Sequence, residues 1–460
     1  MISAGAKLLY GSGSLGYCVV QQTMNSLMMF FGTVAHNMPG FLMGTAASLG
    51  MFWDAVTDPV MGHISDRTES KFFGRRNGYM LFAMFLVAVT NVALWSLPFG
   101  FPVFAKFLWL WLGIMLMNTF NTMFQVPYHA LGVELSGDYN ERTVIEGYKT
   151  VFYLIGMVIP TVLMGVLIKD RKDVLQYQNL SYIAGILMLI CGCLTFLGTY
   201  SHLPRLRAKR QYSEKPPKQS IKCILIEFFS IIKHKDFRAL VFGYAVSLMC
   251  TAFITAAGLH CLTYTFKFEF SGIAILFGSL FAAIIFSQPL WLWLSRKLDK
   301  KPALIVGMSI ALFGVAFCAV VFILYMYAGI IPDRPIWFLL PAFIIVGTGV
   351  GSVFSMPYSM MGDFVAIQAA KDKKVKTATF GAFLTFFNKV SQAVTLLIVG
   401  ILLDIIRFDS EAPEQSFLTR AGLGWILITG IAVALVVGII FYTRYRITKD
   451  DVPFNAEPGQ

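Results

Sequence analysis

The stretch TDPVMGHISDR, residues 57–67, has a counterpart later in the chain, SQPLWLWLSRK at residues 287–297. Three positions match at an offset of 230 residues: Pro59 with Pro289, Ser65 with Ser295, and Arg67 with Lys297. A second pair, QVPYHALGVE at 125–134 and SMPYSMMGDF at 355–364, has the same offset and shares a Pro-Tyr dipeptide. One offset equal to half of the 460 residues predicts two related halves.

The chain is strongly apolar along its whole length. Hydrophobic residues make up 57% and charged residues only 13%, and the mean hydropathy is +0.68. No ordinary soluble fold buries so much apolar surface, so we predict an all-α, multi-pass membrane protein. About twelve stretches are long enough to cross a hydrocarbon core of about 30 Å as helices; they cover residues 8–33, 40–63, 78–98, 104–134, 143–168, 181–202, 238–265, 272–295, 303–329, 336–362, 378–406 and 419–443.

The net charge of +12 is concentrated in the connections between these stretches. Lys and Arg dominate four of them, at residues 202–238, 296–301, 371–376 and 444–449, whereas residues 98–102 and 407–417 are poor in basic residues. Basic connections of a membrane protein face the cytoplasm. The rule explains the charge without a nucleic-acid partner, and it places both termini in the cytoplasm, with the chain in the plasma membrane.

The repeat and the longest basic connection predict the domain organisation. We expect an N-terminal six-helix half (1–202), a basic cytoplasmic linker (203–237), a C-terminal six-helix half (238–446) and a cytoplasmic tail (447–460). Paired six-helix halves are typical of the major facilitator fold, in which substrate and ion sites lie near the midplane. We therefore predict that fold, with about 12 helices in two pseudo-repeats.

Two carboxylates stand out within the second apolar stretch. In a helix, Asp54, Asp58 and Gly62 lie on one face. A charge at the bilayer centre costs about 2.5–3.5 kcal/mol, so two of them need compensation. One interpretation is a shared cation, Na⁺ or H⁺; the other is a structural pair that is partly protonated or bonded to a neighbouring helix. At the offset of 230 the carboxylates are replaced by Ile284 and Gln288, which favours a function.

Other polar residues within apolar stretches are weaker candidates. Lys149 either snorkels from a helix start or takes part in function, and the deeper Lys389 favours function. His129 either lines a cavity or is a satisfied interior histidine. Tyr128 and Tyr358, the tyrosines of the repeated Pro-Tyr element, either pack in the core or stack on a ligand.

The motifs DAVTDP (54–59), VPYHALGVEL (126–135), NERT (140–143) and NKVSQA (388–393) resemble those of the glycoside-pentoside-hexuronide:cation symporters of the major facilitator superfamily. The resemblance covers essentially the whole chain. It implies a symporter whose cation lies between the second and fourth helices, with Asp54, Asp58, Thr57 and Thr122 as ligands. It implies no cofactor and no metal beyond a possible Na⁺ at Asp54 and Asp58.

The chain departs from the melibiose-type pattern at two positions. Cys18 and Gln125 stand where that pattern has carboxylates that serve the sugar or the cation. We expect the substrate site to include Cys18, Gln125, Tyr128, His129, Lys149, Tyr358 and Lys389. The main expectation that follows from the resemblance is a sugar-type substrate, a glycoside or an anionic sugar such as a hexuronide, and Lys149 and Lys389, which are less opposed by acids, suit the anionic sugar. The alternative is an anionic amphiphile such as a lysophospholipid.

The charged helix ends suggest how the cytoplasmic side opens and closes. Asp66 and Arg67 lie beside KFFGRR, and Arg296 belongs to the corresponding region of the second half. With Arg142 of the NERT motif, we interpret these residues as gating. We expect the cation to bind first, the substrate to follow, and the halves to rock about the midplane.

Other classes of protein fit less well. The chain has no HExxH motif, no Ser/His/Asp arrangement and no nucleotide-binding loop, which argues against an enzyme. A one-sided carboxylate pair within a two-fold repeat favours a transporter over a channel or receptor. The expected partners are a small-molecule substrate, the coupling cation and the lipid bilayer, and we expect a monomer.

Overall fold

The computed structural model describes residues 3–68, 72–74, 76–136, 139–200, 234–372, 377–412, 414–448 and 451. Most of the predicted linker and most of the predicted tail lie outside these residues. The domain division at residues 203–237 therefore stays a prediction.

The described chain is helical, and its regular elements are thirteen α-helices. In chain order they are α1 (Ala4–Phe30), α2 (Gly40–Arg67), α3 (Asn77–Trp95), α4 (Val103–Leu135), α5 (Tyr139–Leu167), α6 (Val174–Tyr200), α7 (Lys235–His260), α8 (Phe270–Phe286), α9 (Gln288–Leu298), α10 (Lys300–Met326), α11 (Ile336–Asp372), α12 (Thr377–Ile405) and α13 (Phe417–Thr443). Each predicted stretch corresponds to one helix, except that the eighth is divided into α8 and α9, which are bent by 41° at the break. The all-α prediction is confirmed for the described residues.

Nine of the described helices are long and apolar enough to cross a membrane, and the bent α8–α9 pair would be a tenth. The prediction of about twelve spans also includes α1 and α2, which do not meet that test. The reason is their polar content: α2 contains Asp54, Asp58 and Asp66, and α1 is rich in serine, glycine and glutamine. α1 packs against α5 and α6 inside the protein, so its polar groups do not need to face lipid.

The backbone repeats at the same offset as the sequence. A five-residue π-helical turn follows α1 at Phe31–Ala35, and another follows α7 at Cys261–Thr265, 230 residues later. Two residues after each turn the backbone has a left-handed conformation, at Asn37 with φ 49° and at Lys267 with φ 60°. Residues other than glycine rarely adopt this backbone conformation, so its recurrence at the same offset supports the two pseudo-repeats.

The chain divides into two compact units. Unit 1 comprises residues 1–216, 268–275 and 396–419, and unit 2 comprises residues 217–267, 276–395 and 420–460. Unit 1 therefore contains α1–α6 together with the first residues of α8 and the last part of α12. Unit 2 contains α7, most of α8, α9–α11, most of α12 and most of α13.

Within unit 1, the start of α2 packs closely against the end of α12 on the side predicted to face outside. A Cβ atom placed on Gly400 would overlap the Gly40 carbonyl oxygen, so the two backbones are in direct contact. The Asp404 carboxylate accepts hydrogen bonds from the backbone N–H groups of Gly40 (2.7 Å) and Phe41 (2.8 Å). A carboxylate at a helix N-terminus satisfies unpaired donors and complements the helix dipole. We call this arrangement the α2–α12 contact.

Candidate functional site

The two intramembrane carboxylates meet a single hydroxyl of α4. Thr122 Oγ1 lies 2.9 Å from Asp54 Oδ1 and 2.9 Å from Asp58 Oδ1. Asp54 is 7% exposed, Thr122 is buried, and Asp58 is half-buried. The two carboxylate oxygens therefore lie within about 6 Å of each other, close enough to repel when both are ionised. One hydroxyl proton can serve only one of them at a time, so the arrangement suits a cation.

Local structure places these groups together. Asp54 and Asp58 are four residues apart on α2 and therefore share a face. That face packs on α4, where the Asn118 amide donates to the Gly50 carbonyl oxygen at 2.9 Å. The hydroxyl of Thr57, the fourth expected ligand, instead donates to the backbone carbonyl oxygen of Asp54 at 3.2 Å. Thr57 thus faces its own helix, and its role as a cation ligand stays a prediction.

Lys149 is held inside unit 1 by two partners. Its side chain is 15% exposed and forms an ion pair with Glu146, three residues earlier on α5. Its Nζ atom lies 3.2 Å from His129 Nδ1. An ammonium group only donates, so His129 Nδ1 accepts and the proton of the neutral ring lies on Nε2. That nitrogen is 3.4 Å from the Tyr17 hydroxyl. The cluster offers a fixed positive charge to a ligand that displaces Glu146.

Two of the expected substrate residues lie near this cluster but contribute little polarity. Cys18 is buried, and its Sγ lies 3.4 Å from the Tyr153 carbonyl oxygen. Gln125 is half-buried and interacts with the hydroxyl of Tyr17. Neither is a carboxylate, which is the group that binds pairs of sugar hydroxyls well.

Tyr128 is packed against α1 inside unit 1. The side chain is buried, its ring stacks on Tyr10 with centroids 4.7 Å apart, and its hydroxyl donates to the Tyr10 carbonyl oxygen at 3.0 Å. Tyr10 returns a hydrogen bond of 3.0 Å to the Tyr128 carbonyl oxygen. These contacts join α1 to α4, and a role of Tyr128 in the substrate site stays a prediction.

The remaining expected substrate residues belong to unit 2. Tyr358 is half exposed on α11 and meets the ring of Tyr244 edge-on, with centroids 5.6 Å apart. Lys389 is half-buried on α12. Both roles stay predictions.

The cytoplasmic ends of α2, α3 and α4 are joined by a charge cluster. Arg76, which is buried, pairs with Asp66 at 3.0 Å and with Glu134 at 2.8 Å. Arg67 is exposed. The sequence predicted a network of charges at these helix ends. In the structure, Arg76 of the KFFGRR stretch is the residue that pairs with both carboxylates.

The other predicted gating residues lie at further helix ends. Arg142 Nε donates to the Ser136 carbonyl oxygen at 2.8 Å, which ties α5 to the end of α4. In unit 2, Arg296 is exposed near the end of α9. A nearby ion pair of 2.6 Å joins Lys300 to Asp363. The gating assignments of Asp66, Arg67, Arg142 and Arg296 stay predictions.

Sequence reasoning missed two partners of the Lys149 cluster. Glu146 could have been found, because residues three apart on a helix are neighbours. Tyr17 carried no comparable signal, since a tyrosine in an apolar stretch is ordinary.

Comparison with known proteins adds a family match. A family model described as MFS/sugar transport protein matches residues 9–449. The chain is 22% identical to the sodium-dependent lysophosphatidylcholine symporter 1 of Xenopus tropicalis, over 98% of this chain and 88% of the relative. The Mus musculus symporter of the same name is 24% identical, over 87% of this chain and 78% of the relative. An uncharacterized symporter of Synechocystis is 24% identical, over 89% of this chain and 87% of the relative.

Solved structures show the same fold. A bacterial homologue of the human lysosomal transporter Spinster, inward-facing and occupied, has a TM-score of 0.70 at 13% identity, covering 98% of both chains. The nucleoside transporter NupG has a TM-score of 0.67 at 14% identity, covering 96% of this chain and 100% of its own. At such identities the likeness concerns the fold alone, and it confirms the predicted major facilitator fold.

Proposed function

The chain belongs to the MFS/sugar transport protein family, and we propose that it is a sodium-coupled symporter of an amphiphile whose headgroup contains a negatively charged phosphate, such as a lysophospholipid. It is a multi-pass membrane transporter and not an enzyme, as the sequence predicted. The coupling cation and the substrate class are the proposed parts.

The observation that carries the proposal is the carboxylate pair on Thr122. Two acidic groups that share one hydroxyl, at 2.9 Å each, form a site whose repulsion a bound cation removes. Relatives that match along most of this chain are named sodium-dependent symporters, which favours Na⁺ over H⁺. Binding of the cation and of the substrate then raise each other's affinity, since coupling between sites is reciprocal.

Two observations favour an amphiphile over a sugar. The first is that the similar sodium-dependent symporters are named for lysophosphatidylcholine. The second is the chemistry around Lys149: its cluster contains a cation, a neutral histidine and a tyrosine hydroxyl. These groups suit the oxygens of a phosphate, whereas Cys18 and Gln125 supply no carboxylate for sugar hydroxyls. The sugar that we expected from the sequence is therefore the second candidate.

The substrate class is tested with purified protein in liposomes under an inward Na⁺ gradient. We expect saturable, Na⁺-dependent uptake of labelled lysophosphatidylcholine, and no Na⁺-dependent uptake of a hexuronide, a sulfonated sugar or a neutral glycoside. Sugar uptake without lipid uptake would contradict the amphiphile proposal and restore the sugar reading.

Lys149→Met should reduce lysophosphatidylcholine uptake by about 30-fold or more, because it removes the charge that would bind the headgroup, an interaction of about 2 kcal/mol. Lys106→Met is the matched control. Lys106 is also a buried lysine of unit 1, but its Nζ donates to the His36 carbonyl oxygen at 3.0 Å, away from the Lys149 cluster. Equal losses of uptake in the two variants would show a general effect on folding and would contradict the proposed role of Lys149 in binding the headgroup.

Thr122→Val should raise the Na⁺ concentration for half-maximal transport by about tenfold, corresponding to about 1.4 kcal/mol. Valine keeps the shape of threonine and removes the hydroxyl that meets both carboxylates. Thr45→Val is the matched control on α2; its hydroxyl donates to the Phe41 backbone carbonyl oxygen at 2.7 Å, away from the carboxylate pair, so we expect a change below about threefold. The Na⁺ dependence of initial uptake rates measures both, and a reversed order would contradict the geometry.

A further inference from the structure

One helical turn from the carboxylate pair, α4 has a buried amide oxygen without a hydrogen-bond partner. Asn118 of α4 is 1% exposed. Its side chain faces the Gly50 carbonyl oxygen at 2.9 Å, and because a carbonyl only accepts, the group that faces it is the Nδ2 amide. The other atom, Asn118 Oδ1, is buried and has no hydrogen-bond partner. Buried polar atoms are nearly always satisfied, so such an atom calls for an explanation.

The position of Asn118 connects it to the carboxylates. Asn118 precedes Thr122 by one helical turn of α4, and its partner Gly50 precedes Asp54 by one turn of α2. One turn corresponds to a rise of about 6 Å over four residues. The Asn118 side chain therefore lies in the α2–α4 interface, at the level directly next to the Asp54–Thr122 hydrogen bond.

The second pseudo-repeat provides an internal comparison. At the offset of 230, Asp54 and Asp58 correspond to Ile284 and Gln288, and Asn118 corresponds to Thr348. In unit 2, neutral donors fill this interface. Gln288 Nε2 donates to the Gly351 carbonyl oxygen at 3.2 Å, and Trp291 Nε1 donates to the Thr348 carbonyl oxygen at 2.8 Å. In unit 1 the corresponding interface has carboxylates and an amide oxygen instead.

We propose that Asn118 Oδ1 is a neutral ligand of the coupling cation, and that it makes the carboxylate pair a site for Na⁺. A hard cation binds several oxygen atoms at once, and carbonyl oxygens suit it well. A proton forms a covalent bond to one carboxylate oxygen and can donate at most one hydrogen bond to the amide oxygen. Na⁺ instead needs several oxygen ligands at once, and Asn118 Oδ1 adds a neutral one to the two carboxylates. The inference rests on the cation site of the proposed function and deepens it.

The test measures Na⁺ binding without substrate, so that it does not depend on the identity of the transported molecule. Purified protein is heated in increasing NaCl, with N-methyl-D-glucamine chloride keeping the ionic strength constant. A ligand that binds the folded state raises the melting temperature according to its concentration relative to Kd. We expect Asn118→Leu to raise the half-saturating Na⁺ concentration, which is the Kd obtained by fitting the melting temperatures to this dependence, at least about tenfold.

Two further variants separate the oxygen from the packing. Asn77→Leu is the matched control: Asn77 is also buried, donates through Nδ2 to Thr199 Oγ1 at 3.1 Å, and has an unpartnered Oδ1. We expect it to lower stability without changing the Na⁺ half-saturation. Asn118→Asp keeps an oxygen, loses the N–H donor to Gly50 and adds a negative charge that attracts a cation, and we expect it to retain or strengthen the Na⁺ response. Asn118→Ala replaces the leucine variant if that variant does not fold.

The outcomes separate this inference from the proposed function. If Na⁺ stabilises the wild type and Asn118→Leu with the same half-saturation, the inference is wrong and the carboxylate site stands. Equal losses in Asn118→Leu and Asn118→Asp would also overturn it, because the bond to Gly50 would then be the important interaction. If Na⁺ does not stabilise the wild type, the sodium site itself is wrong, and this inference is wrong with it.

Discussion

Replacement of Asp58 by asparagine is expected to lower Na⁺-driven accumulation of substrate by about 100-fold or more, a loss of about 2.7 kcal/mol or more in coupling. Asparagine has the shape of aspartate and can still accept from Thr122, which lies 2.9 Å from Asp58 Oδ1. The change therefore removes the charge and little else. Without that charge the site loses one of its two anionic ligands, while the repulsion with Asp54 disappears. Accumulation in liposomes under an inward Na⁺ gradient measures the effect.

Two measurements make the Asp58 result specific. The melting temperature of Asp58→Asn in Na⁺-free buffer should equal or exceed that of the wild type, because the like-charge repulsion is gone. Asp173→Asn is the control carboxylate; Asp173 lies before α6, where its Oδ1 accepts from the Leu175 N–H at 3.0 Å, and it should not change the Na⁺ dependence. Full accumulation by Asp58→Asn would exclude the carboxylate pair as the coupling site.

Gly400→Val is expected to reduce transport by at least about tenfold, equivalent to about 1.4 kcal/mol or more. The α2–α12 contact lets no side chain fit between Gly400 and the Gly40 carbonyl oxygen. Valine would push the helices apart and pull Asp404 away from the Gly40 and Phe41 N–H groups, which it meets at 2.7 and 2.8 Å. A transporter that works by alternating access has to close each side in turn. We therefore expect failure of the outer closure.

Na⁺ binding distinguishes this failure from damage to the ion site. Gly400→Val should keep the Na⁺-dependent rise in melting temperature, because the carboxylate pair is not part of the α2–α12 contact. Gly381→Val is the matched control on the same helix; nothing lies within 4 Å of a Cβ placed on Gly381, so its transport should stay within about twofold of the wild type. Normal transport by Gly400→Val would contradict a role for close glycine packing in closure.

Much of the architecture could be predicted because it depends on the mean hydropathy of long stretches and on regular spacings in the sequence. Hydropathy identified the helices, and the offset of 230 recurs in the π-helical turns that follow α1 and α7. The proximity of Asp54 and Asp58 follows from helical spacing alone. Thr122, by contrast, came from a resemblance to known symporters, since nothing in the sequence pairs α2 with α4.

Individual side-chain environments were harder to predict because they depend on which neighbour fills a space. Tyr128 and Tyr358 occupy the same position of the repeated Pro-Tyr element, yet Tyr128 is buried on Tyr10 and Tyr358 is half exposed. The sequence could not distinguish them. Asn118 was missed for a related reason: a single asparagine in an apolar stretch has no periodic partner, and its importance comes from the packing of α4 on α2.

The low apolar content of α1 and α2 has a consequence for biosynthesis. Neither helix is apolar enough to count as a span by itself, and the packing partners of α1 are α5 and α6, which the ribosome makes later. Entry of a helix into lipid from the translocation machinery depends on its own hydropathy. These first two helices therefore reach their final positions only once later helices have been synthesised. A chain that stops after α2 should leave its carboxylates in water, so truncated fusion proteins would report a false topology.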